Sequence, residues 1–224
     1  MLHTTDGITW RHSTTAVDYP DAVASMEEQV AGILAGTADE CVWLAEHPPL
    51  YTAGTSSDPS EVLPKASLPV FPTGRGGRVT YHGPGQRLAY VMLDLRARGR
   101  DVRAFVNGLE TWIIAVLNDF GIQGETHAGR IGVWVEDANG QHAKIAAVGV
   151  RVRRGVTFHG VSLNVDPDLA HYDGIVPCGI QDAGVTSLRE VGVEASMADV
   201  DRALVRRFAE WVPPREAAPG AGLH

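Results

Sequence analysis

Two residues of this chain have the types and settings that nucleophilic chemistry needs. Cys178 sits between Pro177 and Gly179 in GIVPCGI, and Lys144 opens the apolar run KIAAVGV. A thiol with a pKa near ~8.5 is mostly protonated at neutral pH, and the thiolate is the nucleophile. Only two of the 19 basic residues are lysines, Lys65 and Lys144. By type alone, each has a plainer reading: Cys178 as an inert buried side chain, Lys144 as a solvated strand end. Cys41, inside ECVWLAE, fits the inert role.

A third dense segment spans residues 74–86, GRGGRVTYHGPGQ, with five glycines, two arginines and one histidine. It is either a tight surface loop or a stretch whose main chain approaches a ligand closely. No Gly-Lys-Ser/Thr follows, so it is not a phosphate loop, and Val79 stands where a dinucleotide fingerprint needs its third glycine. The small residues Ala146, Ala147 and Gly149 indicate close packing or a slot for a slender acyl chain.

The elements that must position these groups follow from periodicity. Residues 18–36 read as a helix with Asp18 at its cap, 40–46 as a short strand, 52–68 as a surface loop and 87–95 as an apolar strand. Asp101 caps a helix through Phe120, ended by Gly121. Residues 131–135 and 144–152 form a hairpin about the Asn-Gly of DANGQHA, and 155–164 is a third strand of the same run. Ser196 caps a last helix through Trp211. This order predicts an α+β (α/β) fold, helices packed on a mixed β-sheet, in one domain over residues 1–212, with a disordered tail over 213–224.

The net charge of −8 argues against tracking along nucleic acid. No apolar run is long enough to cross a membrane. The N-terminus carries no secretory pattern, so a cytoplasmic location is expected. The nine histidines show no HExxH-type metal spacing.

Taken together, these blocks resemble the octanoyltransferases of lipoate assembly. The match rests on Arg75-Gly76-Gly77, Thr80-Tyr81-His82, Gly85-Gln86 and Tyr90; on residues 144–149 with Phe158-His159-Gly160 and Asn164; on Pro177-Cys178-Gly179 with residues 185–188; and on His47-Pro48-Pro49 with Tyr51-Thr52 and Gly54. The resemblance implies the catalytic fold shared with lipoate–protein and biotin–protein ligases. It implies a Cys178–Lys144 dyad that takes an octanoyl group from acyl carrier protein as a thioester. The group then passes to a lysine of lipoyl domains, those of 2-oxoacid dehydrogenase E2 subunits and the glycine cleavage H protein.

Acyl contacts carry over to Arg75, Gly76, Gly77, Arg78, Val79, Thr80, Tyr81 and His82, to Ala147, Val148 and Gly149, and to Gly160, Val161 and Ser162. His82 is the second candidate for the base, and His159 is expected to line the pocket. No cofactor and no metal are implied, and a monomer is expected. Arg75, Arg78, Arg151, Arg153 and Arg154 are the nearest basic residues for docking an acidic carrier. The rival readings are an ATP-dependent lipoate or biotin ligase of the same fold, a non-catalytic acyl-binding module and a cysteine hydrolase.

Overall fold

The computed structural model describes residues 3–5, 7–137, 140–177 and 183–212. In chain order these form β1 (His3–Thr5), β2 (Ile8–His12), α1 (Tyr19–Ala35), β3 (Glu40–Ala45), β4 (Leu50–Ala53), β5 (Val70–Pro72), β6 (Thr80–His82) and β7 (Gln86–Met92). There follow α2 (Val102–Asn118), β8 (Glu125–His127), β9 (Arg130–Glu136), β10 (His142–Arg153), β11 (Val156–Asn164), β12 (Gly184–Val185) and α3 (Met197–Phe208). A nine-stranded sheet has the order β1-β2-β3-β7-β11-β10-β9-β8, with β12 beside β10. The β2–β3 and β10–β12 pairs are parallel and the others antiparallel, so the sheet is mixed, as expected.

Side-chain alternation decides what each face of this sheet covers. On β7, Ala89 and Val91 face the larger core with α2 and α3, while Leu88, Tyr90 and Met92 face α1. Every residue of β7 is buried, as expected of a strand covered on both sides. Helix α2 buries Phe105, Leu109, Ile113, Val116 and Leu117 of the stripe its spacing predicts; Trp112 joins them, while Val102, expected in the same stripe, is exposed. Asp101 accepts from the amides of Arg103 and Ala104, and Ser196 and Asp199 complete a capping box on α3.

Several boundaries differ from expectation. Asp18 occupies the cap of α1 but makes no side-chain capping bond. Helix α2 stops at Asn118, and Gly121 (φ 75°) lies beyond the cap residue Asp119 rather than in the C′ place. Helix α3 ends at Phe208, not Trp211. The largest departure is a second sheet, β5-β4-β6, whose three strands were not expected; β4 overlaps the start of the loop read over 52–68, and β6 lies in the glycine-rich segment. Its strands have three or four residues each, too short for a period to show. The expected tail over 213–224 lies outside the described residues.

A buried ion pair fixes the start of β3. Arg98 and Glu40, each with its side chain 2% exposed, are paired, and Glu40 Oε1 also accepts from the amide of Asp94 at 2.6 Å. Removing one partner strands a buried charge, which typically costs about 3–5 kcal/mol. Glu40→Ala is therefore expected to lower unfolding stability by that amount. Urea denaturation of both proteins checks this; a loss below about 1 kcal/mol would mean that water reaches Arg98 freely.

Candidate active site

A cavity of about 430 Å³ lies between the large sheet and the small one. Its wall on the large sheet comes from β10, β11 and β7, including Ala147, Gly149, Gly160, Ser162, Leu88 and Tyr90. The other wall comes from the glycine-rich segment: Arg75, Gly76, Gly77, Arg78, Thr80 and His82. Tyr19 of α1 and Val106 of α2 also reach it. The residues are brought together by register. Ala147 pairs with Ser162 and Gly149 with Gly160 across β10–β11; Ser162 pairs with Leu88 and Gly160 with Tyr90 across β11–β7.

The small residues at these positions are steric requirements. A Cβ at Gly149 would stand 3.0 Å from Arg75 Cδ. At Gly160 (φ 157°) it would stand 2.2 Å from the Ala89 carbonyl oxygen. Without side chains here, the glycine-rich segment lies directly on β10, and the Gly76 amide donates to the Val150 carbonyl at 2.9 Å.

Lys144 stands at one end of the cavity, 6% exposed. Its Nζ donates to the Ile131 carbonyl at 2.7 Å and lies 5.2 Å from the centre of the Trp134 ring. It forms no ion pair among the described residues. An ammonium buried on an aromatic face with one carbonyl acceptor keeps donors free for a ligand. Gly132 makes room for it: φ is 125°, and a Cβ would fall 2.7 Å from Lys144 Cε and 2.6 Å from the Ala146 oxygen. Glu110 of α2 accepts from the Gly132 amide at 2.7 Å, holding this turn in place.

The cavity is lined by many polar residues, yet most of their hydrogen bonds are spent within the protein. Arg75 Nη2 donates to the Thr52 carbonyl (2.8 Å), the Thr52 hydroxyl (2.7 Å) and the Arg78 carbonyl (3.0 Å). His82 Nδ1 donates to Gln86 Oε1 at 2.6 Å, which leaves Nε2 to accept from the Thr52 hydroxyl at 3.1 Å. Gln86 Nε2 donates to Asn164 Oδ1 at 2.8 Å, and Asn164 Nδ2 to the Thr186 carbonyl at 2.9 Å. His47 donates from Nδ1 to the Val17 carbonyl and accepts from the Tyr90 hydroxyl at Nε2. Groups satisfied in this way can border an alkyl chain without a desolvation penalty.

Burial holds the imidazoles neutral. It lowers the pKa of His47, and with the neighbouring His47 it lowers that of His82. Burial, then Arg75 and Arg151, brings His159 down to about 3. His159 lines the cavity in a left-handed conformation (φ 59°), and among the described residues it makes no hydrogen bond.

Of the residues expected to contact an acyl chain, Val79 and Tyr81 do not line the cavity. Strand alternation turns both into a separate cluster with Tyr51 and Ile175. The remaining twelve do line it. Cys178 lies outside the described residues; Val185, which follows that segment, pairs with Lys144. Cys41 is buried, and burial pushes its thiol up to about 11, in keeping with an inert role. Two arginines named for docking are otherwise engaged: Arg75 is buried, and Arg78 is paired with Glu61. Arg151, Arg153 and Arg154 are exposed.

Sequence reading missed Gly132, Trp134, Glu110 and the Ile131 carbonyl. Of these only Gly132 carried any signal, as a glycine inside an otherwise apolar strand. Gly132→Ala is expected to push the Lys144 amine out of its seat. Lys65, exposed and the one other lysine, serves as an internal reference. Reductive methylation followed by peptide mass analysis should mark Lys65 well ahead of Lys144 in the wild type. In Gly132→Ala the Lys144 signal should rise several-fold towards that of Lys65; an unchanged ratio would show that Gly132 does not seat the amine.

Comparison with known proteins agrees with this geometry. Residues 18–209 match the family described as the lipoyl protein ligase A/B catalytic domain. An octanoyltransferase of Paramagnetospirillum magneticum is 59% identical over 203 residues, covering 91% of this chain and 96% of that protein. An octanoyltransferase of Nitrobacter hamburgensis is 58% identical over 214 residues, covering 93% and 88%. Among solved structures, lipoate-protein ligase A bound with ATP superposes with a TM-score of 0.69 at 16% identity, covering 94% of this chain and 89% of that one. A biotin protein ligase from Aquifex aeolicus gives 0.54 at 14% identity, covering 93% and 71%. These last two share the fold, as expected. By its sequence relatives, the chain belongs to the lipoyl protein ligase A/B catalytic-domain family and, within it, to the octanoyltransferases, which are acyltransferases.

Proposed function

We propose that the chain moves an octanoyl group from acyl carrier protein to a lysine of lipoyl domains by way of an acyl-Cys178 thioester. The acceptors are the lipoyl domains of 2-oxoacid dehydrogenase E2 subunits and the glycine cleavage H protein. The observation that carries this reading is Lys144: a buried ammonium with no carboxylate partner among the described residues, lining a cavity walled by small residues and hydrogen-bonded polar groups. A cation beside a thiol favours the thiolate.

The Cys178 thiolate attacks the carbonyl carbon of the donor thioester. The carbon–sulfur bond to the carrier breaks, and its thiolate leaves with a proton from Lys144. The acceptor lysine, as the free amine, then attacks the acyl-cysteine. It loses a proton to Lys144 as the Cys178 thiolate departs. A thioester thus becomes a thioester and then an amide, a downhill sequence that consumes no nucleotide. His82 is a poorer base, because its one lone pair is engaged by Thr52. His159 contacts the chain from the far end of β10, where its partner in register is Val150. Arg151, Arg153 and Arg154 form the exposed basic edge on which an acidic carrier would dock.

Intact-mass measurement after mixing with octanoyl-carrier protein and no ATP should show a gain of about 126 Da on Cys178. Addition of a lipoyl domain should discharge it. An adduct on Cys41, or turnover in Cys178→Ala, would refute the intermediate, and a strict need for ATP would assign the chain to ligase chemistry.

Lys144 is tested by separating its charge from its proton. Lys144→Met should slow alkylation of Cys178 by iodoacetamide about tenfold or more near neutral pH, and acyl transfer with it. Lys144→Arg keeps the charge but cannot release a proton there. It should retain much of the alkylation rate while transfer to the lipoyl lysine falls by about 100-fold or more. Transfer at the wild-type rate in Lys144→Arg would leave Lys144 with a charge role alone.

A further inference from the structure

At the edge of the large sheet, beyond the acyl cavity, three metal-ligating side chains converge. Glu125 and His127 lie two apart on β8, across a register shift against β9 that brings their side chains into contact. His142 opens β10, and β9 runs between the two strands and pairs with both. His127 Nε2 lies 2.8 Å and His142 Nδ1 2.6 Å from the same oxygen, Glu125 Oε1. One ligand atom from each residue falls within 4.8 Å of the others. The two imidazole rings are 4.9 Å apart, and that of His127 is stacked on Trp134 at 5.1 Å and 28°, which fixes its direction.

The spacing suits a tetrahedral ion. With metal–nitrogen and metal–oxygen bonds of about 2.0–2.2 Å, ligand atoms stand about 3.3–3.5 Å apart. The two distances to Glu125 Oε1, 2.8 and 2.6 Å, fall short of that value, and a shift of roughly 0.6 Å in the carboxylate would open the centre. Glu125 and His142 are each about half exposed, leaving the fourth position to water. Two imidazoles and one carboxylate favour zinc, nickel or copper over magnesium or calcium, which prefer sites made wholly of oxygen.

We propose that Glu125, His127 and His142 form a binding site for a divalent transition-metal ion of the zinc class, which staples the edge strand β8 across β9 to β10. The open cleft beside it is lined by Ala128, Arg130, Gln141 and Ala183. Arg130 also borders the acyl cavity, so the two are neighbours. Trp134 touches both His127 and the Lys144 ammonium, so a bound ion sets a second positive charge one indole ring from Lys144. The consequence for transfer rests on the role proposed for Lys144; the binding itself does not.

The test uses full-length Cys178→Ser protein, which removes the competing thiolate, titrated calorimetrically with zinc chloride near neutral pH. One ion per chain is expected at micromolar affinity, with magnesium chloride giving no saturable heat. Glu125→Gln and His142→Ala should each weaken zinc at least about tenfold, with circular dichroism showing both folded. Copper(II) should quench tryptophan emission in this protein and much less in its Trp134→Phe variant. The proposal fails if zinc does not saturate at sub-millimolar concentration, or if the His127→Gln/His142→Ala double variant binds as tightly as its parent. These outcomes are independent of whether Cys178 and Lys144 transfer acyl groups.

Discussion

The buried guanidinium of Arg75 ties the glycine-rich segment to the small sheet, and the neighbouring Gly76 amide ties that segment to the large one at the Val150 carbonyl. The Arg75 bonds to Thr52 on β4 and to the Arg78 carbonyl fold the glycine-rich segment back over the large sheet. Gly149 leaves it the space to lie there. A charge this deeply placed is tolerable only with nearly full hydrogen bonding, so Thr52 is committed to it. The Thr52 hydroxyl in turn orients His82, which orients Gln86, and the chain of donors continues through Asn164 to Thr186. One demand for satisfaction at Arg75 thus propagates across β4, β6, β7 and β11. The cavity is the space left beneath this frame.

The same frame explains how a cavity lined with arginine, histidine and tyrosine could border an alkyl chain of the kind proposed. Arg75, His82 and Tyr90 turn their polar atoms towards other parts of the protein. The bare backbone of Gly76, Gly149 and Gly160 borders the cavity beside them. Lys144 is the contrast, since its amine has a single carbonyl acceptor among the described residues and stands at the opposite end from His159. A cavity with an ammonium whose donors are not all engaged among the described residues is the arrangement that the proposed transfer through a thiol would use. The likeness to lipoate-protein ligase A, at 16% identity, is one of fold, and fold alone does not fix the chemistry.

Much of the architecture was legible in the chain itself, where long periodic segments speak for themselves. The apolar stripe of α2, the capping box of α3 and the strand pair around DANGQHA all follow from local rules, and each is found. The candidate pocket residues were legible too, through blocks of glycine and small residues whose spacing resembled a family. What stayed hidden was built from short or irregular pieces. The strands β4, β5 and β6 have no measurable period, and Val79 and Tyr81 face away from the cavity because alternation on so short a strand cannot be phased from sequence.

The sequence alone determined the fold class, the octanoyltransferase family and the identity of the residues worth testing, because helix periodicity, capping and motif spacing are local properties of the chain. Only the tertiary structure decided which polar groups remain available. The closing of His82 on Thr52 and Gln86, the seating of Lys144 against Ile131, Trp134 and Gly132, and the meeting of His142 with Glu125 and His127 all join separate elements. Hydrogen bonding and steric exclusion act over a few ångströms of space. Strand order and register, rather than distance along the chain, bring those atoms within range.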